Sequence, residues 1–207
     1  MRDSCIIYIV RHGQTKWNVD RRIQGQKDLP LTAIGRQQAK NLSKKLYKIR
    51  FDAVFSSDLI RAYDTAYQVA LQNKLVVVTS VLLREKKYGH LEGKRVGDLK
   101  EFDEILKKLS HEQRSIYKMD KQAESDFEVN QRFARFIKEI AARYTGKSVL
   151  VVTHAAVIRS FLVHLGLVTY QNLPEGSIEN ASYIQLETDG ADIRIMKTEG
   201  IMIKNEV

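Results

Sequence analysis

Two apolar runs in this sequence each end at a histidine. The first run, Cys5–Val10, leads directly into Arg11 and His12. The second run, Ser148–Thr153, leads into His154. Short, largely apolar runs rich in β-branched residues predict buried strands of a parallel sheet. Because parallel strands end at one edge of a sheet, where α/β proteins bind their ligands, we expect both histidines in one site.

The rest of the chain alternates short apolar runs with segments of helical periodicity. This alternation predicts an α/β fold, a three-layer sandwich with a mostly parallel central sheet flanked by helices. Further strands are predicted at 53–56 and 75–78, with a closing hairpin at 182–188 and 192–197. A helix is predicted after Thr32, its N-cap, and others around 99–109 and 133–144 and over 156–165, where Gly166 ends the helix. A further helix is predicted from residues at helical spacing that would share one face: Ile60, Tyr63, Tyr67 and Ala70.

The length and composition indicate one globular domain. No proline-, glycine- or serine-rich linker divides the 207 residues, so we expect a single domain over 1–207 with a small helical cap at about 94–125. The net charge of +9 is spread along the chain, which favours a basic surface over a nucleic-acid interface. With one cysteine, Cys5, and no visible signal peptide or membrane span, we expect a cytoplasmic protein without a membrane partner. The oligomeric state stays open.

The residues at the predicted sheet edge suit phosphoryl transfer. A histidine can attack phosphorus through a ring nitrogen, and an arginine binds phosphoryl oxygens through its planar donors. Positive charge around a phosphate could come from Arg11, Arg61 and His154. Arg61 can reach the sheet edge because it lies near the start of the helix that follows the strand predicted at 53–56. Thr15 and Asn18 could add hydrogen bonds to that phosphate, and capping of the local loop is the alternative.

Six motifs follow one another along the chain. They are RHGQTKWN at 11–18, QG at 24–25, LTAIGRQQA at 31–39, SSDLIRAYDTA at 56–66, LREKKYGHLEG at 83–93 and VVTHAAVIR at 151–159. In this order they resemble the histidine phosphatase superfamily, which includes cofactor-dependent phosphoglycerate mutase. The resemblance covers most of the chain and implies a phosphoglycerate mutase-like fold.

The resemblance also implies roles for single residues. His12 is the nucleophile that becomes a phosphohistidine, and Glu85 is the general acid that protonates the departing alkoxide. His12 must then be neutral, with its other ring nitrogen donating to a backbone carbonyl, and Glu85 needs a raised pKa. Gln24, Gly25 and Ala155 are expected to contact the substrate, and Ala155 stands where many relatives have glycine.

Three functions fit these residues: a phosphomonoester hydrolase, a cofactor-dependent phosphoglycerate mutase and a catalytically dead phosphate-binding module. The dead module is disfavoured because His12, Arg11, Arg61, Glu85 and His154 are all present. The resemblance favours the hydrolase over the mutase, because the mutases of the family are longer and carry insertions that help to keep water from the phosphoenzyme. No metal or other cofactor is expected, since His90, His111 and His164 lack ligand spacing with any acidic or cysteine set.

Two lysines beside Glu85 bear on the identity of the substrate. Lys86 and Lys87 lie in a stretch that resembles the fructose-bisphosphatase-type sugar phosphatases of the superfamily. They could form a cationic rim for a second anionic group, and a pair of solvated lysines is the equal alternative. The expected substrate is a small phosphorylated metabolite, with sugar phosphates or bisphosphates, α-ribazole phosphate and phosphoserine as candidates.

Overall fold

The computed structural model describes residues 4–204 and contains a six-stranded mixed sheet. Strands β1 (Cys5–Arg11), β2 (Ala53–Ser56), β3 (Val77–Thr79) and β4 (Ser148–Thr153) are parallel. An antiparallel pair, β5 (Ile178–Thr188) and β6 (Ile193–Ile201), lies beside β1, so the order across the sheet is β3–β2–β4–β1–β5–β6. The predicted α/β fold with a mostly parallel sheet is confirmed. The ends of the predicted domain, 1–3 and 205–207, lie outside the described residues.

Helices cover both faces of this sheet. They are α1 (Lys16–Val19), α2 (Ala33–Lys45), α3 (Ile60–Asn73), α4 (Lys100–Lys108), α5 (His111–Ile116), α6 (Asp126–Arg143) and α7 (Ala155–His164). Successive side chains of a strand point to opposite faces, so β1 contributes to two cores. Ile7 and Ile9 pack in the core with Phe133 of α6 and Phe161 of α7. Tyr8 and its even-numbered neighbours pack in the core that contains α2 and α3 side chains.

The buried face of α3 differs from the predicted one. Of the four residues predicted to share a face, Ala70 is buried, whereas Ile60 and Tyr67 are 37% and 46% exposed. Arg61 and Thr65, four residues apart, are fully buried instead. Small residues, Ala62 and Ala66 among them, then let α3 approach the sheet closely.

Most other elements lie close to their predicted bounds. Thr32 caps α2 by accepting a hydrogen bond from the Gly35 N–H at 2.9 Å, and α7 ends before Gly166, whose φ is +68°. The closing hairpin is confirmed and is longer than predicted. Strand β3 begins at Val77 and not at residue 75, because only Val77–Thr79 finds a partner in β2.

The segment predicted as a cap holds the two short helices α4 and α5, between β3 and α6 in the chain. Five of its residues line the cavity at the carboxyl edge of the sheet, three of them aliphatic: Val96, Leu99 and Leu106. Within residues 4–204, no helix has the length and apolar character needed to cross a membrane.

Candidate active site

The parallel pairing of β1 with β4 brings the two predicted histidines together. Arg11 is in register with Thr153, and the His12 N–H donates to the Thr153 carbonyl oxygen at 3.1 Å. The ring centroids of His12 and His154 are 5.1 Å apart, and both rings are buried. The juxtaposition expected from the two apolar runs is confirmed.

The His12 imidazole is held in the tautomer that a nucleophile needs. Its Nδ1 lies 2.7 Å from the Gly13 carbonyl oxygen, and since a carbonyl only accepts, Nδ1 carries the proton. Burial, together with the positive charges of Arg61 and Arg11, lowers the pKa of His12 well below its ordinary value. At neutral pH the ring is therefore uncharged, and the lone pair on Nε2 is available for attack.

The loop that carries His12 depends on the small size of Gly13. A Cβ at this position would lie 2.5 Å from the Gly35 carbonyl oxygen, which is part of the α2 backbone. The Gly13 N–H also donates to the Thr65 Oγ1 at 3.0 Å. The loop is thus fixed between α2 and α3, and this packing orients the His12 ring.

Two buried arginines supply the positive charge. The Arg61 Nη1 and Nη2 donate to the carbonyl oxygens of Lys27 and Gly25, each at 2.7 Å, and Arg11 donates to the Ile178 carbonyl. The Nε atoms of Arg11 and Arg61 have no partner within residues 4–204. Burial lowers the pKa of each guanidinium to about 10, so both stay protonated at neutral pH. They can therefore bind the oxygens of a phosphoryl group.

The Glu85 carboxyl lies in the same cavity in a state suited to proton transfer. Its Oε1 accepts from the Lys86 N–H at 2.8 Å, and its Oε2 accepts from the Ala156 N–H at 3.4 Å, in the first turn of α7. Burial raises its pKa, against the lowering effects of these N–H groups and of Arg61 and Arg11. The raised pKa matches the expectation for a general acid.

His154 differs from its expected role as a source of positive charge. Burial and the nearby Arg61 lower its pKa well below the ordinary value, so the ring is neutral at physiological pH. Neither ring nitrogen finds a hydrogen-bond partner among the described residues. A neutral imidazole still offers one N–H donor. Unlike His12, however, His154 is not among the residues that line the cavity, and it lies behind the lining beside the His12 ring.

One cavity contains most of the predicted site. Arg11, His12, Arg61 and Glu85 line it, together with Asn18, Gln24, Gly25 and Ala155 from the predicted substrate contacts. Five side chains of the cap segment also line it: Val96, Leu99, Asp103, Leu106 and Met119. The cavity is thus lined both by the charged side chains of the predicted site and by mainly apolar side chains of the cap segment.

Three predicted substrate contacts lie away from this cavity. Thr15 is the N-cap of α1 and forms a capping box with Asn18, which was the alternative to a phosphate contact. Lys86 is buried and its Nζ lies 2.6 Å from the Asp126 Oδ1. Lys87 is exposed and does not line the cavity. The two lysines therefore do not form the expected rim, because one is neutralised inside the protein and the other faces solvent.

The cavity holds a cation that the sequence analysis missed. Arg159, 8% exposed, lies on α7, one and a half turns after His154. Its Nη2 is 3.5 Å from the Glu175 Oε1, and its Nη1 has no partner within residues 4–204. An arginine inside the largely apolar stretch AAVIRSFLV is a signal that could have identified it. Among the same residues, no three histidine, cysteine or acidic side chains lie together as a metal site requires.

Comparisons with known proteins bear on this site. The profile of the histidine phosphatase superfamily (branch 1) matches residues 7–199. The chain is 35% identical over 160 residues to phosphoglycerate mutase-like protein 4 of Arabidopsis thaliana, covering 76% of this chain and 70% of that protein. It is 44% identical over 97 residues to fructose-2,6-bisphosphatase TIGAR of Xenopus tropicalis, covering 44% of this chain but only 35% of that protein.

A solved structure extends the likeness to the whole fold. A mycobacterial glucosyl-3-phosphoglycerate phosphatase superposes with a TM-score of 0.78 at 29% identity. The match covers 98% of this chain and 100% of the other, so the two folds correspond from end to end.

Proposed function

Because the chain belongs to the histidine phosphatase superfamily (branch 1), we propose that it is a phosphomonoester hydrolase that works through a phosphohistidine on His12. The observation that carries the proposal is that a neutral, buried His12 and a carboxyl of raised pKa, that of Glu85, line the same cavity. Two protonated arginines lie beside them. No residue in this scheme requires a metal ion.

The geometry supports a reaction in two steps. The His12 Nε2 attacks phosphorus and forms an N–P bond while the P–O bond to the leaving alcohol breaks. Glu85 gives its proton to the departing oxygen, so the alcohol leaves neutral. The Glu85 carboxylate then takes a proton from water, whose oxygen attacks the phosphohistidine and releases phosphate. Arg11 and Arg61 stabilise the charge on the phosphoryl oxygens in both steps.

A panel of phosphorylated metabolites tests this proposal against its two alternatives. We expect release of inorganic phosphate from at least one small phosphomonoester, unchanged by chelators. Efficient isomerisation of 3-phosphoglycerate with its bisphosphorylated primer, and little phosphate release, would favour the mutase. Phosphate binding without any turnover would favour the catalytically dead module.

A cytoplasmic location, consistent with the single buried Cys5, remains part of the proposal.

The pH dependence of kcat/KM should reflect Glu85 in its acidic form. The general acid must be protonated, so kcat/KM for an alkyl phosphate should fall as pH rises through the raised pKa of Glu85. Because the pKa of His12 is lowered, protonation of the nucleophile should not limit the reaction until the pH is well below neutral. In Glu85→Gln the alkaline limb should vanish, and an alkaline limb of unchanged position in that variant would exclude Glu85 as its source.

For the finer choice of substrate, we propose that Arg159 contacts a second anionic group. Its Nη1 is without a partner in the described structure, and the side chain lines the same cavity as His12, from a position on α7 more than one turn beyond His154. The substrates named for two similar proteins, a fructose bisphosphate and a glucosyl-phosphoglycerate, carry a second phosphate or a carboxylate. Arg159 thus takes the place that the sequence had suggested for Lys86 and Lys87.

Replacing Arg159 with glutamine should raise KM for fructose 2,6-bisphosphate by about 10-fold or more, with kcat little changed. A hydrogen bond to a charged group contributes about 1.5–3 kcal/mol, and here it would form with a part of the substrate that does not react. For p-nitrophenyl phosphate, which has no second anionic group, KM should stay near the wild-type value. Lys87→Gln is the matched control and should change KM for neither substrate. Equal changes for both substrates in Arg159→Gln would rule out a contact with the second group.

A further inference from the structure

Glu85 lies in a segment without regular secondary structure, and side chains near the start of α6 bind the backbone of that segment. The Arg132 Nη1 donates to the Leu82 carbonyl oxygen at 2.8 Å. The Arg132 Nη2 donates to the carbonyl oxygen of Glu85 itself at 3.2 Å. One guanidinium therefore holds the backbone at two points, Leu82 and Glu85 itself.

Glu124 completes this contact on the other side of Glu85. Its two carboxylate oxygens accept from the Arg132 Nε at 2.8 Å and Nη2 at 3.0 Å, a bidentate pair that fixes the plane of the guanidinium. The Glu124 Oε2 also accepts from the Lys87 N–H at 2.8 Å. The Glu124 N–H in turn donates to the Lys87 carbonyl oxygen at 2.9 Å. The backbone is thus held at residues 82, 85 and 87.

A buried ion pair holds the residue between these points. The Lys86 Nζ lies 2.6 Å from the Asp126 Oδ1, and each side chain is 8% exposed. The Lys86 N–H is one of the two donors to the Glu85 carboxylate, so fixing Lys86 also fixes the direction of that carboxylate. A buried ion pair contributes little net stability compared with apolar packing, which makes a purely stabilising role a weak explanation for it.

We propose that Glu124, Asp126 and Arg132 form a clamp that positions Glu85 as the general acid. None of the three lines the cavity, so they are positioning residues and act through Glu85. The inference rests on the proposed function of Glu85 in protonating the leaving group. A displacement of a reacting group by about 1 Å can cost about 100-fold in rate, so loss of the clamp should be visible in catalysis.

The test is Arg132→Met, assayed on two substrates that differ in their need for a proton. Glycerol phosphate leaves as an alkoxide and needs the general acid, whereas p-nitrophenyl phosphate releases a stable phenolate without one. We expect kcat/KM to fall by about 10- to 100-fold for glycerol phosphate and to stay near the wild-type value for p-nitrophenyl phosphate. Arg132→Lys, which keeps the positive charge on a single donor nitrogen, should recover part of the lost kcat/KM for glycerol phosphate.

Arg135→Met is the matched control. Arg135 lies on the same helix, is exposed and pairs only with Glu139, so the same substitution there should leave both substrates unaffected. Equal losses for the two substrates in Arg132→Met, or no loss for either, would overturn the clamp. A further loss when Arg132→Met is added to Glu85→Gln would do the same, because a clamp that acts through Glu85 has no effect once that carboxyl is gone.

Two measurements separate failure of the clamp from failure of the proposed function. If Glu85→Gln itself does not discriminate between the two substrates, the general-acid role is wrong. If Glu85→Gln discriminates and Arg132→Met does not, only the clamp is wrong.

Amide hydrogen exchange gives a readout independent of activity: the Lys87 amide should exchange faster in Arg132→Met, with core amides of β1 and β4 unchanged. Unchanged exchange at Lys87 would contradict the clamp.

Discussion

Replacing His12 with alanine is expected to abolish phosphomonoester hydrolysis and phosphoenzyme formation together. The rate should fall by at least about 10⁴-fold, the scale seen when a hydrolase loses its covalent nucleophile. The reason is chemical: with Nε2 removed, no group at the end of β1 can form the N–P bond. The measurement is kcat/KM on the best substrate of the panel, combined with a rapid-quench assay for phosphorylated protein.

The fold should survive this change, because the loop is also held by the Gly13 N–H to Thr65 bond. Thermal unfolding of His12→Ala checks that expectation. His12→Asn, which keeps a polar side chain against the Gly13 carbonyl, provides a second variant with the same predicted loss. His164→Ala, at an exposed histidine of α7, is the control and should keep full activity. Substantial turnover by either His12 variant would refute the mechanism.

The second large effect is expected from Glu85→Gln on substrates with poor leaving groups. General acid–base catalysis contributes about 10²- to 10⁴-fold, and kcat/KM for an alkyl phosphate should fall by that amount. Glutamine keeps the shape and accepts the Lys86 N–H, but it has no proton to give. For p-nitrophenyl phosphate kcat/KM should change little, whereas kcat should drop because water still needs a base to attack the phosphohistidine.

The accumulation of phosphoenzyme distinguishes this account from others. In Glu85→Gln with p-nitrophenyl phosphate, formation of the phosphohistidine stays fast and its hydrolysis becomes slow. A burst of nitrophenolate equal to the enzyme concentration should therefore precede slow turnover. A burst-free progress curve with reduced kcat would mean that Glu85 has no part in the second step.

Much of the fold and of the inner site could be predicted because the relevant signals are local. The runs that form β1 and β4 are short, apolar and bounded by polar residues, and parallel pairing then places His12 beside His154. The neutral state of His12 and the raised pKa of Glu85 follow from burial in such a site. The juxtaposition of His12 and His154 needs only the neighbouring sequence and the rules of α/β sheets. The roles of His12 and Glu85, and the protonation states that those roles require, came from the resemblance to the histidine phosphatase superfamily.

The errors arose where a residue's partner lies far away in the chain. Lys86 resembled half of a cationic rim, and its partner Asp126 is forty residues further on. The predicted face of α3 was wrong because the buried stripe consists largely of small side chains, Ala62 and Ala66 among them, whereas the larger Ile60 and Tyr67 remain exposed. Arg159 was not predicted for a related reason: its charge in a largely apolar helix marks the residue as unusual, but the cavity that it lines is formed by distant parts of the chain.

The measurement that tests the central claim most directly is the chemical identity of the phosphoenzyme. The wild-type protein is mixed with its substrate, quenched within one turnover, and the phosphorylated peptide is identified by mass spectrometry under alkaline conditions that preserve phosphohistidine. We predict a phosphoryl group on the His12 ring that is labile to acid, and that disappears in His12→Asn. Phosphate release without any phosphorylated protein, or a phosphoryl group on another residue, would contradict the account.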